Sequence, residues 1–236
     1  MTPAADPHPS PTPNHAATSP ADTGANLAGD HAGDPAETHY QAQARPQPPR
    51  RLIVGISGAT GVAYGVRILD LARTVGLETH LVVTPAAQQT RGYETDLSAA
   101  DLAAKADVTY RPADIGAAIA SGSFRTIGMI VAPCSIRTLS AIAYSVGDNL
   151  LTRAADVTLK ERRRLVLLAR ETPLTLGHLR AMAAVTESGG IVMPPVPAFY
   201  LRPANLDDLV THTAARALDL LGVDVPGQPR WGEPQD

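Results

Sequence analysis

Four short segments carry residues whose types and spacing suit chemistry on an anionic ligand. Gly55-Ile-Ser-Gly-Ala-Thr-Gly61 puts glycines where a backbone must turn tightly and approach a ligand, with Ser57 and Thr60 as hydroxyl donors ahead of a helix N-terminus that attracts phosphate. Pro133-Cys-Ser-Ile-Arg-Thr138 offers two hydroxyls, Ser135 and Thr138, and one cation, Arg137. Arg170-Glu-Thr-Pro173 sets a guanidinium beside a carboxylate, Glu171, a pair that is costly to bury without a purpose. Thr84-Pro85 adds a further hydroxyl. A nicotinamide dinucleotide site fits these residues poorly. The third glycine of that fingerprint would fall at Tyr64, with Gly65 one residue late, and Thr84-Pro85 stands where an acid should meet a ribose. A phosphate or a flavin suits Thr84 better.

These segments share one feature: each follows an apolar run that reads as a buried strand. The strands are expected at 51–56, 77–83, 126–132 (stopped by Pro133), 164–169 and 190–193, with helices at 60–74, 86–90, 98–106, 135–144, 148–160, 176–188 and 206–221, and a turn or two at 114–120. Apolar strands separated by helices imply a parallel sheet covered on both faces, with ligands beyond the carboxyl ends of its strands. The fold class expected is α/β, a Rossmann-like (flavodoxin-like) doubly wound parallel sheet in a single domain, 49–236, behind a disordered tail, 1–48.

Composition sets that division. The first 50 residues hold 10 of the 21 prolines, and Leu27 is their only Leu, Ile, Val, Phe or Met beyond Met1. Such a segment buries too little apolar surface to offset the entropy of ordering it. Its five acids against two arginines account for the whole net charge of −3 and leave the body neutral, so no overall basic field holds nucleic acid. The tail lacks a basic start and an apolar h-region, and its acids are foreign to transit peptides. No run approaches the ~20 apolar residues that span a bilayer, so a cytoplasmic, non-membrane protein is expected. With aromatics at 4%, the core must be built from Ala, Val, Ile and Leu. The single cysteine, Cys134, excludes an internal disulfide, and it reads as a small buried residue rather than a nucleophile. His178 and His212 read as surface or helix-packing residues.

The segments belong to a longer ordered series. It adds Glu94-Thr-Asp96, Ala120-Ser-Gly-Ser123, Leu151-Thr-Arg-Ala-Ala-Asp156, Leu159-Lys-Glu-Arg-Arg163, Pro197-Ala-Phe-Tyr200 and the closing Pro229-Arg-Trp231. From about residue 50 onward the series resembles the UbiX family of flavin prenyltransferases, formerly described as aromatic acid decarboxylases. The resemblance implies a metal-independent enzyme that joins the five-carbon group of dimethylallyl phosphate to N5 and C6 of reduced FMN and releases phosphate. The product is prenylated FMN, the cofactor of UbiD-type decarboxylases. It implies FMN contacts from Gly58, Ala59, Thr60, Thr84, Ser135, Ile136, Arg137, Thr138 and Arg170. It implies a prenyl phosphate site from Ser121, Gly122, Arg153, Lys160, Tyr200 and Arg216, and catalytic roles among Glu94, Arg153, Lys160 and Glu171. A homo-oligomer is implied too, typically a dodecamer of trimers with sites at subunit contacts. Thr60 stands where many members have serine, which keeps the hydroxyl, and no tryptophan precedes the Ala120-Ser-Gly-Ser123 segment.

From the residues alone, ordinary alternatives stay open. Arg153 and Lys160, two helical turns apart, suit a solvated stripe; Arg216 suits a pair with Asp219 or Asp208; Tyr200 suits packing. Two other functions compete: an FMN-dependent decarboxylase of the related cysteine-decarboxylase group, and a non-catalytic FMN-binding subunit.

Overall fold

The computed structural model describes residues 50–230 and 232; the tail 1–48 and Trp231 lie outside the described residues. Six strands, β1 (Arg51–Ile56), β2 (Glu78–Val83), β3 (Val108–Tyr110), β4 (Gly128–Cys134), β5 (Arg164–Ala169) and β6 (Ile191–Val192), form one sheet in the order β3-β2-β1-β4-β5-β6. Every pairing is parallel. The helices are α1 (Val62–Thr74), α2 (Pro85–Glu94), α3 (Ala99–Ala103), α4 (Ile136–Ala143), α5 (Leu150–Lys160), α6 (Leu176–Glu187) and α7 (Leu206–Asp219).

The period-two geometry of a strand divides the core into two layers. On β1, Leu52, Val54 and Ile56 pack with Ile68, Leu69 and Ala72 of α1 and Ala214, Ala217 and Leu218 of α7. Ile53 faces the other way, with Met129 and Val131, toward Leu139, Leu151, Ala154 and Val185 of α4, α5 and α6. The buried residues of both layers are mainly Ala, Val, Ile and Leu.

The order reverses between β1 and β4, the switch point where sheets of this class bind ligands. Side-chain caps begin the helices that rise from that edge. Thr84 caps α2 with Pro85 at its first position, Ser135 caps α4, and Asn149 caps α5.

Three expectations change. The strand at 126–132 begins at Gly128 and runs through Pro133 to Cys134, with a register irregularity between Val131 and Cys134 that lets a proline sit within the strand. The edge strand β3 was not expected, whereas the turn or two expected at 114–120 is present as turns and one short 3-10 segment, Ala118–Ala120. The helix at 86–90 starts at Pro85 and reaches Glu94.

Candidate active site

The loops leaving β1 and β4 are tied together by Ser57. Its buried hydroxyl donates to the Pro133 carbonyl at 3.0 Å and accepts from the Ser135 amide at 2.8 Å. The sequence offered Ser57 as a ligand donor; the structure uses it to set the spacing between two ligand loops. Gly58 then passes against the start of α2, where a Cβ would lie 2.4 Å from that of Ala86. Gly65, off the dinucleotide register, still serves close helix-to-sheet packing, since a Cβ there would meet the Ala132 carbonyl at 2.4 Å.

The first helix end is not the open anion site the sequence suggested. Both oxygens of Glu94 accept from the Gly61 amide, at 3.1 and 2.9 Å, and one also accepts from the Val62 amide at 2.9 Å. A carboxylate from the end of α2 thus fills the N-terminus of α1. The starts of α2 and α4 remain available. Thr84 Oγ1 accepts from the Ala87 amide at 3.1 Å and keeps its own proton to donate. Ser135 accepts from the Thr138 amide at 3.3 Å and donates to the Thr138 hydroxyl at 3.1 Å.

These elements enclose a cavity of about 920 Å³ at the carboxyl ends of β1, β2, β4 and β5. Gly58, Ala59, Thr60, Thr84, Ser135, Ile136, Arg137, Thr138 and Arg170 all line it, so the whole set expected to hold a flavin nucleotide is in one place. Glu171 lines it too, one oxygen accepting from the Thr172 amide at 3.2 Å. Arg137 is paired with Asp148, and this arginine with its hydrogen bonds outweighs burial to hold the Asp148 carboxyl below its usual range. Burial raises the Tyr64 hydroxyl, while the nearby Arg170 charge pulls it back.

The expected prenyl phosphate residues do not line this cavity. Arg153 pairs with Asp156 at 3.2 Å, Lys160 with Glu161 at 2.7 Å, and Arg216 with Asp219. Lys160 closes α5, whose N-cap Asn149 lines the cavity; eleven residues at 1.5 Å each put it about 16 Å away. Gly122 lies against Lys160, where a Cβ would be 2.9 Å from Nζ, and Ser121 bonds Ser123 at 2.9 Å. Tyr200, 56% exposed, meets the His212 ring edge-on at 6.4 Å between centroids. His178 caps α6, its Nδ1 accepting from the Thr175 amide at 3.2 Å. Cys134 is buried, and burial pushes its thiol far up, away from thiolate chemistry.

Sequence reasoning missed Arg111, Pro112, Asp148 and Asn149 on the cavity wall. The helix expected from 148 carried a legible cap signal for the last two. Arg111 had none, because it follows the unexpected strand β3.

A doubly wound parallel sheet with hydroxyls, open helix starts and arginines around a switch-point cavity has the architecture of a nucleotide-binding α/β protein. Comparison with known proteins narrows this. The flavoprotein family model matches residues 40–201. Flavin prenyltransferase UbiX of Neisseria meningitidis serogroup B is 57% identical over 182 residues, covering 77% of this chain and 96% of that protein. AnUbiX, solved in complex with FMN and dimethylallyl pyrophosphate, superposes with a TM-score of 0.77 at 46% identity, covering 79% of this chain and 99% of that one. A dodecameric FMN-dependent UbiX-like decarboxylase from Escherichia coli O157:H7 gives a TM-score of 0.75 at 49% identity over 78% of this chain and all of that one. The chain belongs to the flavoprotein family, in its UbiX flavin prenyltransferase branch.

Proposed function

We propose that this chain joins the dimethylallyl group of dimethylallyl phosphate to N5 and C6 of reduced FMN and releases phosphate. The observation that carries the reading is the convergence of three strand-to-helix turns on one cavity, with Glu171 beside Arg170 at its wall.

The residues present fit FMN. The cavity has the volume of a nucleotide site, hydroxyls at Thr60, Thr84 and Ser135, and apolar walls at Pro85, Ala86 and Ile136. Bound there in reduced form, FMN supplies the nucleophilic N5 and the ring carbon. The protein's part is to hold and orient it. Thr84 and Thr60 donate hydroxyl protons to the polar chain. Arg170 sets a positive charge beside Glu171, whose second oxygen is available to receive the proton that ring closure releases.

The leaving group is a phosphate dianion, which clustered cations stabilise. Arg153, Lys160, Tyr200 and Arg216 remain the residues proposed for that task, with Ser121 and Gly122 beside Lys160. Their absence from the cavity wall in one chain supports a site completed by neighbouring copies, in a dodecamer like that of the Escherichia coli relative. Exposed apolar side chains such as Phe199, 73% accessible, suit such contacts. Glu94 acts here by holding Gly61 and Val62 in place.

Turnover with dimethylallyl phosphate separates this reading from the cysteine-decarboxylase alternative. Among the described residues no helix is long and apolar enough to cross a membrane. Delivery of prenylated FMN to a UbiD-type decarboxylase in the cytoplasm completes the proposal. Inorganic phosphate should be released from dimethylallyl phosphate only when reduced FMN is present; release independent of flavin would contradict the reading.

A further inference from the structure

We infer that Arg111 binds the phosphate of the flavin nucleotide and makes the site selective for FMN over unphosphorylated riboflavin. The inference rests on the FMN reading of the cavity and assigns a residue outside the motif series.

The placement follows from β3. Tyr110 pairs with Val82 of β2, so Arg111 leaves the sheet beside Val83 and Thr84, where α2 begins, and it lines the cavity. Strand spacing then separates the two ends of the site. From β3 to β5 are four inter-strand steps, about 19 Å, comparable with the length of an extended flavin mononucleotide. Arg170 and Glu171, at the β5 end, belong with the reacting ring. The phosphate therefore lies toward β2 and β3.

Charge favours the same residue. Three arginines and two carboxylates line the cavity: Arg111, Arg137, Arg170, Asp148 and Glu171. Arg137 is committed to Asp148. The Arg111 guanidinium has no hydrogen bond or ion pair among the described residues. Without it the wall is formally neutral toward a dianion. The local backbone cannot make up the deficit. Pro85 has no amide to donate, Thr84 takes that of Ala87, and the start of α1 is filled by Glu94. At the β2 edge the open donors are the Ala86 amide and the Thr84 hydroxyl, and a guanidinium fork supplies the missing charge.

The test measures binding of FMN and of riboflavin to the full-length protein by flavin fluorescence, in wild type, Arg111→Ala and Arg111→Lys. Loss of a charge-assisted phosphate contact should weaken FMN about 10- to 150-fold in Arg111→Ala, leave riboflavin unchanged and flatten the salt dependence. Arg111→Lys should recover part of the FMN affinity. Arg111 is exposed, so folding should be preserved. Unchanged FMN affinity, or equal weakening of both flavins, would overturn the assignment. If wild type binds neither flavin, the FMN reading itself falls and Arg111 with it.

Discussion

The Glu94 carboxylate accepts from the Gly61 amide at 2.9 Å, joining the end of α2 to the start of α1 beside the glycine-rich loop that follows β1. The bond holds the Gly61 end of the loop whose Gly58, Ala59 and Thr60 line the cavity. Glu94→Ala should cost about 1 kcal/mol, as loss of an N-cap does, and weaken FMN binding. Glu94→Gln, which keeps one acceptor oxygen, should fall between. Thermal melts with flavin titrations check this. If both variants melt like wild type and lose turnover alone, Glu94 acts on substrate instead.

His80 gives the fold a pH dependence. It is buried, with Nε2 2.9 Å from Glu78 and Nδ1 3.0 Å from the Tyr110 hydroxyl. Neutral imidazole protonated at Nε2 satisfies both partners. Burial lowers its pKa, outweighing the pull of Glu78 and aided by Arg51, and burial and Arg216 lower that of His212. The unfolded chain therefore binds protons first. Stability is fully present above the unfolded histidine pKa of about 6.5 and is lost as pH falls below it toward the depressed folded values. Glu78, held low by Arg51 and His80 despite burial, extends the loss to acid pH. Urea midpoints should drop between pH 7.5 and 5.5, and less so in His80→Gln. Equal midpoints in wild type would contradict this.

How legible the site was depends on what each residue answers to. Strands β1, β2 and β5 announce themselves as apolar runs, and the turns behind them carry their own glycines and hydroxyls. The loops that line the cavity were therefore legible as segments, while the resemblance supplied the individual residues. Val108–Tyr110 was not: three half-exposed or exposed residues become a strand only because β2 offers an unpaired edge. Without β3 the order would read 2-1-3-4-5, as in flavodoxins; with it the order is that of dinucleotide folds, and Arg111 enters the cavity. Ser57 reads as a hydroxyl donor to a ligand because polar type shows in sequence and partnership does not; the resemblance alone gives Glu94 a role, and its bonds to Gly61 and Val62 are seen only in the fold. Arg153, Lys160 and Arg216 do not line the cavity in one chain, a separation from its wall that no local pattern encodes.

That separation allows a complementation test. Glu171→Gln should retain FMN and lose a factor of about 10² to 10⁴ in rate. Arg216→Ala should retain FMN and lose affinity for dimethylallyl phosphate. If the two residues meet across different copies, unfolding and refolding the inactive variants together should restore part of the activity. Mixtures no more active than their components would place both roles within one chain.

Deleting residues 1–48 should leave flavin binding and turnover unchanged, because that segment lacks core-forming residues. Loss of either in the truncated protein would show that the tail contributes to the site.

The most direct measurement is the mass of the flavin after anaerobic incubation of the full-length protein with reduced FMN and dimethylallyl phosphate. The account predicts a product heavier than reduced FMN by one C5H8 unit, formed with one phosphate released per flavin, and absent when either substrate is withheld. Flavin recovered at its original mass, from protein shown to have both substrates bound, would contradict it.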